Sequence, residues 1–232
     1  MRNAVLEVDL KAFKDNLKNI QDFVGEDIIL MPVIKASGYG TYINTKLEAY
    51  KDFKIVAVAM AEEANFIRNL GYKGDILILN QPDINDIDEI IKQNVTSGVS
   101  EMSFLKRLVE TKQECKIHLE LETGMGRTGI KYEDVETFCY TIKQNPFIKL
   151  EGVYTHFSVA DSDENYTKEQ IERFNKGLEV IEKYFDDIKY IHTSASNGIL
   201  NFENNKTGNN NVWLRIFQRS LWEIRLKAYF QT

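Results

Sequence analysis

Short apolar runs alternate with amphipathic helical stretches along most of the chain, and this alternation limits the fold more than any other feature. Ile28–Ile34 is almost continuously apolar, as a strand buried on both faces must be. Similar runs recur at Ile55–Val58, Ile76–Leu79, Thr96–Val99, Lys116–Leu121, Ile148–Tyr154 and Lys189–His192. Helical patterns separate them, beginning near Asn44, Ala61, Pro82, Glu101 and Tyr132. Thr167-Lys-Glu-Gln170 has the form of a capping box opening a long helix to about Tyr184. Upstream, Ala4–Val8 reads as a short strand, and Asp9 can cap a helix with Leu10, Phe13, Leu17 and Ile20 on one face. Repeated βα units imply a parallel sheet. The expected fold class is α/β, a (β/α)8 TIM-type barrel whose last strand, Val212–Phe217, is expected to be incomplete. An open doubly wound sheet is the alternative.

Length and charge narrow the function. A chain of 232 residues suits one large α/β domain. The formal net charge is −6, with basic residues scattered among acidic ones, which argues against a nucleic-acid partner. No apolar run approaches the roughly 20 residues that cross a bilayer, so no membrane partner is expected. The start lacks the apolar segment of a signal peptide. Two cysteines, Cys115 and Cys139, are too few for a disulfide framework, and a cytoplasmic setting follows. No histidine or cysteine spacing suits a metal.

In a parallel barrel the chemistry gathers where strands end. Lys35 ends the first apolar run, where a low-dielectric wall would lower its pKa and suit it to Schiff-base chemistry. The plain alternative is a lysine reaching water. On the fifth strand, period-two alternation puts His118, Glu120 and Glu122 on one face, with Arg127 as the expected partner for buried carboxylates. A solvent-facing edge strand is the alternative there. Gly124-Met-Gly126-Arg-Thr-Gly129 matches a dinucleotide fingerprint in letters only, because it falls in the fifth unit and encloses an arginine. His156 and His192 each follow a strand, where a hydrogen-bonded structural histidine is the commoner case.

Four segments together resemble the fold-type III pyridoxal-phosphate enzymes, most of all the alanine racemase family. They are Val33-Ile-Lys-Ala-Ser-Gly-Tyr-Gly40, Glu122-Thr-Gly-Met-Gly-Arg-Thr-Gly129, Thr155-His-Phe-Ser158 with Asp161, and His192-Thr-Ser-Ala-Ser-Asn-Gly198. The resemblance covers about residues 3–202, within a domain placed at 1–202, and implies pyridoxal 5′-phosphate as the cofactor. It implies that Lys35 holds the cofactor as an imine and serves as one racemising base. It further implies that Tyr39 and Ser196 lie by the phosphate, that Arg127 bonds near the phenolic oxygen and the substrate carboxylate, and that His156 stacks on the pyridine ring. Arg215 is the nearest counterpart of the arginine that faces the pyridine nitrogen.

The implied activity is racemisation of an amino acid, alanine or else serine, by α-proton abstraction. A non-catalytic single-domain cofactor carrier is the alternative. Many members place a lysine that can be carbamylated seven residues before the motif arginine. Here that position is Glu120, which is expected to supply the orienting negative charge directly. The family's second, β-rich domain and its R-P-G-I-x-x-Y-G stretch have no counterpart here. Residues 203–232 are therefore expected to be a divergent tail of a truncated or frame-shifted product, with a homodimer left open.

Overall fold

The computed structural model describes residues 7–26 and 28–193, apart from the Thr45 side chain, and the backbone of 212–217. The elements run α1 (Leu10–Val24), β1 (Ile29–Pro32), α2 (Lys35–Gly40), α3 (Ile43–Tyr50), β2 (Ile55–Val58), α4 (Ala61–Asn69), β3 (Asp75–Ile78) and α5 (Ile87–Lys92). They continue with β4 (Thr96–Val99), α6 (Met102–Thr111), β5 (Cys115–Glu120), α7 (Val135–Lys143), β6 (Ile148–Tyr154), α8 (Glu164–Glu182), β7 (Tyr190–His192) and β8 (Val212–Phe217).

All strand pairs are parallel, and the spatial order is β1-β8-β7-β6-β5-β4-β3-β2. A parallel bridge between Val33 and Ala57 joins β1 to β2, and the Ile34 N–H donates to the Ala57 carbonyl at 2.8 Å. Each strand thus lies beside its sequence neighbour and the ring closes. An open doubly wound sheet would require the order to reverse at a switch point. The fold is the (β/α)8 barrel that the alternation implies, with β8 paired to β1 over four residues and to β7 over two, and the single Val33–Ala57 bridge as its thinnest seam.

Alternation along each strand divides the core. Val56, Val58, Ile76 and Ile78 pack outward against Ala61, Ala64, Ile67 and Ile90 of the helices. Their neighbours Ile55, Ala57 and Leu77 turn inward with Met31, Val33 and Tyr190. On the far side of the ring, Ile117 and Leu119 join Phe104, Leu108, Phe138 and Ile142 outside, while His118 and Glu120 point in. The barrel interior is therefore apolar along β1–β3 and polar along β5–β7.

Two helix starts differ from expectation. The capping box at Thr167 does not form. The Asp163 carboxylate caps α8 a turn earlier, accepting from the Tyr166 N–H at 2.9 Å, and this leaves Thr167 and Gln170 buried inside the helix. Pro82 does not open a helix either. Asp83 caps a 3-10 turn over Ile84–Asp86 that leads into α5. Asp9 does cap α1, accepting from the N–H groups of Lys11 and Ala12. Residues 4–6 of the expected first strand, and residues 203–211 and 218–232, lie outside the described residues.

Candidate active site at the barrel mouth

Lys35 stands two residues beyond the closing bridge at Val33, past the C-terminal end of β1. The chain then turns left-handed: Ala36, Ser37, Gly38 and Tyr39 have φ between 51° and 65°. Residues with a Cβ resist this region at roughly 1–2 kcal/mol each, so the segment must be held from outside. Two groups do so. Glu63, in the first turn of α4, accepts from the Ala36 N–H at 2.6 Å and, through its other oxygen, from the Ala59 N–H at 2.8 Å. On the inner side, the buried Lys46 ammonium donates to the Thr41 hydroxyl, which donates to the Gly38 carbonyl. A Cβ at Gly38 would lie 3.2 and 3.3 Å from Thr41 Oγ1 and Lys46 Nζ, a tight fit that adds to the φ of +65° in favouring glycine. Sequence reading missed both props. Glu63 could have been found as the acidic N3 residue of α4, whereas Lys46 carries no local signal.

Three cations or potential cations meet at this mouth. Burial lowers the pKa of Lys35 first, the nearby Arg127 charge lowers it further, and Glu63 opposes them. His156, following β6, is pushed down to about 4 by burial and by the charges of Arg127 and Lys35, so its ring is neutral near pH 7. Arg127 itself is exposed, and among the described residues no hydrogen bond or ion pair ends on its guanidinium. Tyr39 is 44% exposed at the same rim.

Arg127 rides on a loop pinched shut at its base. Leu121 bridges Ile130, and the N–H groups of Glu122 and Ile130 donate to Ile130 and Glu120. Inside the loop the Glu122 carboxylate accepts from the Gly124 and Gly126 N–H groups. Glu122 therefore organises its own loop instead of joining the inward face with His118 and Glu120. The next α-helix begins only at Val135, so the glycines do not open a helix as a dinucleotide fingerprint would. Glu120 is buried beside the Tyr154 hydroxyl, and the adjacent Thr128 hydroxyl, not the Arg127 guanidinium, donates to it at 2.9 Å. Burial raises the Glu120 pKa, the Thr128 bond and the Arg127 charge oppose that rise, and Arg127 thus acts on it through space.

Below the mouth lies a pair that spacing did not reveal. His118 Nδ1 of β5 and His192 Nε2 of β7 are 2.9 Å apart over the intervening β6, both fully buried, and the Tyr154 ring stacks on His192 with centroids 4.7 Å apart. Burial pushes His118 down to about 3 and His192 well below its usual value. The structure therefore brings Lys35, Tyr39, Arg127 and His156 to one end of the ring. Ser196 lies outside the described residues, and of Arg215 only the backbone in β8 is described. Among the described residues no group of acidic, histidine and cysteine side chains could hold a metal, and no helix is long and apolar enough to cross a membrane.

A closed parallel barrel with a depressed lysine, an arginine and a neutral histidine at its C-terminal mouth defines the class as a (β/α)8 domain with a mouth site. The chain belongs to the alanine racemase family. Residues 8–215 match the family model described as alanine racemase, N-terminal domain. The alanine racemase of Halalkalibacterium halodurans is 33% identical over 211 residues, covering 87% of this chain and 54% of that protein. Among solved structures, alanine racemase from E. faecalis superposes with a TM-score of 0.82 at 26% identity, over 93% of this chain and 58% of the other. Alanine racemase from Bacillus anthracis with bound L-Ala-P gives a TM-score of 0.78 at 28% identity, over 92% and 57%. The chain thus spans about half the length of the relatives it matches.

Proposed function

We propose that this domain binds pyridoxal 5′-phosphate through Lys35 and serves the racemisation of a small amino acid, alanine before serine. The observation that carries the reading is the mutual placement of Lys35, Arg127 and His156, each within electrostatic reach of the others. The donor set suits the cofactor. A lysine with a lowered pKa has more neutral amine available to attack an aldehyde and, later, to take a proton from carbon. The exposed Arg127 guanidinium can bond an anionic oxygen of cofactor or substrate. A neutral His156 ring offers a flat face without adding a third positive charge. A Cβ at Gly40 or Gly126 would meet nothing within 4 Å, so space is open beside the Lys35 turn and the Arg127 loop.

The cofactor would supply the electron sink that stabilises a carbanion. The chain's own work is to hold the amine desolvated, to orient anionic oxygens toward Arg127 and to keep the left-handed turn rigid. The family relationship supports the racemase reading over a non-catalytic carrier. Titrating the chain with pyridoxal phosphate should produce a visible absorbance band that Lys35→Ala abolishes, and the wild-type chain should exchange the α-proton of alanine in deuterium oxide. A band that survives Lys35→Ala would defeat the assignment of Lys35, and a band without exchange would favour the carrier.

A further inference from the structure

Arg127 and His156 sit on different loops, after β5 and β6, and neither loop is regular structure. Their spacing is fixed by something else. One stripe of α8 reaches both. Tyr166, Gln170 and Arg173 are spaced four and three residues apart and so share a helix face. The Tyr166 hydroxyl donates to the Gly124 carbonyl at 2.8 Å, and Arg173 donates to the Thr123 carbonyl at 2.9 Å. The Arg173 guanidinium also lies 5.7 Å from the Tyr166 ring centroid.

Gln170 joins the two loops. Its amide nitrogen donates to Thr123 Oγ1 and to the His156 carbonyl, both at 3.2 Å. Its amide oxygen accepts from the Ser158 N–H at 3.0 Å and from the Ser158 hydroxyl at 3.1 Å. A backbone N–H can only donate and a carbonyl can only accept, so the two ends of the amide cannot be exchanged. The side chain is fully buried with all four hydrogen-bonding positions used. Thr123 and Thr155 complete the joint with their hydroxyl oxygens 2.7 Å apart. A side chain at Gly124 would lie 2.4 Å from the Tyr166 hydroxyl, so the loop is pressed against α8.

We infer that Gln170 is a positioning residue that ties the Arg127 loop to the His156 loop and so sets the distance between guanidinium and imidazole. Tyr166 and Arg173 hold the inner side of the same loop. The role in cofactor binding rests on the function proposed above, whereas the clamp itself does not.

Gln170→Glu tests it. A glutamate keeps the acceptor that faces Ser158. It can donate to the His156 carbonyl only while protonated, and ionised it faces that carbonyl with a negative charge. Near pH 8, without cofactor, amides of residues 122–129 and 155–158 should exchange hydrogen about tenfold faster than in the wild type, and pyridoxal phosphate should bind about tenfold more weakly. Both ratios should shrink as pH falls to about 5 without reaching one, because the carboxylic acid has one proton to donate where the amide has two. Gln170→Leu should show the defect at every pH. Wild-type exchange in Gln170→Glu throughout the range would overturn the clamp. Loosened loops with undiminished cofactor affinity would overturn the positioning role. A wild-type chain that binds no cofactor would defeat the proposed function, while the exchange data still decide the clamp. Should Gln170→Glu not fold, Thr123→Val removes the hydroxyl that meets both Gln170 and Thr155 and should speed exchange at 122–129. Wild-type exchange there would count against the joint.

Discussion

At the N-terminal end of the barrel, Lys116 lies 3.7 Å from Asp75 and 4.0 Å from Glu151, and Lys189 lies 3.2 Å from Asp75. At the opposite end, Lys35 faces Arg127 and a histidine. Lys189 and Lys35 shift in opposite directions. Burial works against the Lys189 ammonium, but the Tyr190 hydroxyl and the charges of Asp75 and Glu151 outweigh it, so its pKa is raised. Burial and Arg127 together outweigh Glu63 at Lys35, so its pKa is lowered. Burial is common to both, and the sign of the neighbours decides the outcome. Charges that pair across the ring stabilise it. Under the function proposed above, an anionic cofactor would offset the like charges gathered at the mouth.

The largest effect should come from the layer between the ends. His118 and His192 are buried neutral, whereas the unfolded chain protonates histidine near pH 6.5. The unfolded state therefore binds more protons below that pH, and stability falls as pH drops from about 6.5 toward about 3. At pH 5 the His118 ring should cost about 2 kcal/mol relative to neutral pH, and His192 acts in the same direction. Urea midpoints at pH 7 and pH 5 measure the loss, and His118→Gln should flatten the dependence. A midpoint indifferent to pH would mean that the rings are not held neutral.

Next in size is a break at the base. Asp75→Asn leaves Lys116 and Lys189 facing each other across the strand ends. The loss should be about 1–2 kcal/mol, below the value for a fully buried pair because these side chains are 23–49% exposed. Cofactor affinity should stay at the wild-type level, and a large change in it would erase the distinction between the two ends. The smallest stability effect should come from the mouth. Arg127→Ala removes a charge with no ion pair among the described residues, so unfolding should move by less than about 0.5 kcal/mol. The Lys35 pKa should rise once the neighbouring charge is gone, readable as a shift in the pH dependence of its reaction with an aldehyde. An unchanged profile would mean that Arg127 does not govern the amine.

Much of the site was legible because its signals are local. Lys35 closes an apolar run, and the order of strand ends places Arg127 and His156 near it once a barrel is assumed. Other parts depend on partners far along the chain. The inward face of β5 was visible as alternation, but its partners were not. Glu120 finds Thr128, and Glu122 folds back on Gly124 and Gly126, because the loop closes at the Leu121–Ile130 bridge. The Thr167–Gln170 pattern looked like a cap because those residue types also cap helices. Asp163 took that role, and Gln170 was left for the loops.

By itself the sequence determined the strand–helix rhythm, the parallel class and the residue types at strand ends, since periodicity and capping act within a few neighbours. Only the tertiary structure decided which charges meet, which histidines pair and which buried amide joins two loops. Those outcomes follow from the winding of the strands, which sets β5 and β7 on either side of β6 and brings positions more than seventy residues apart, such as His118 and His192, within one hydrogen bond.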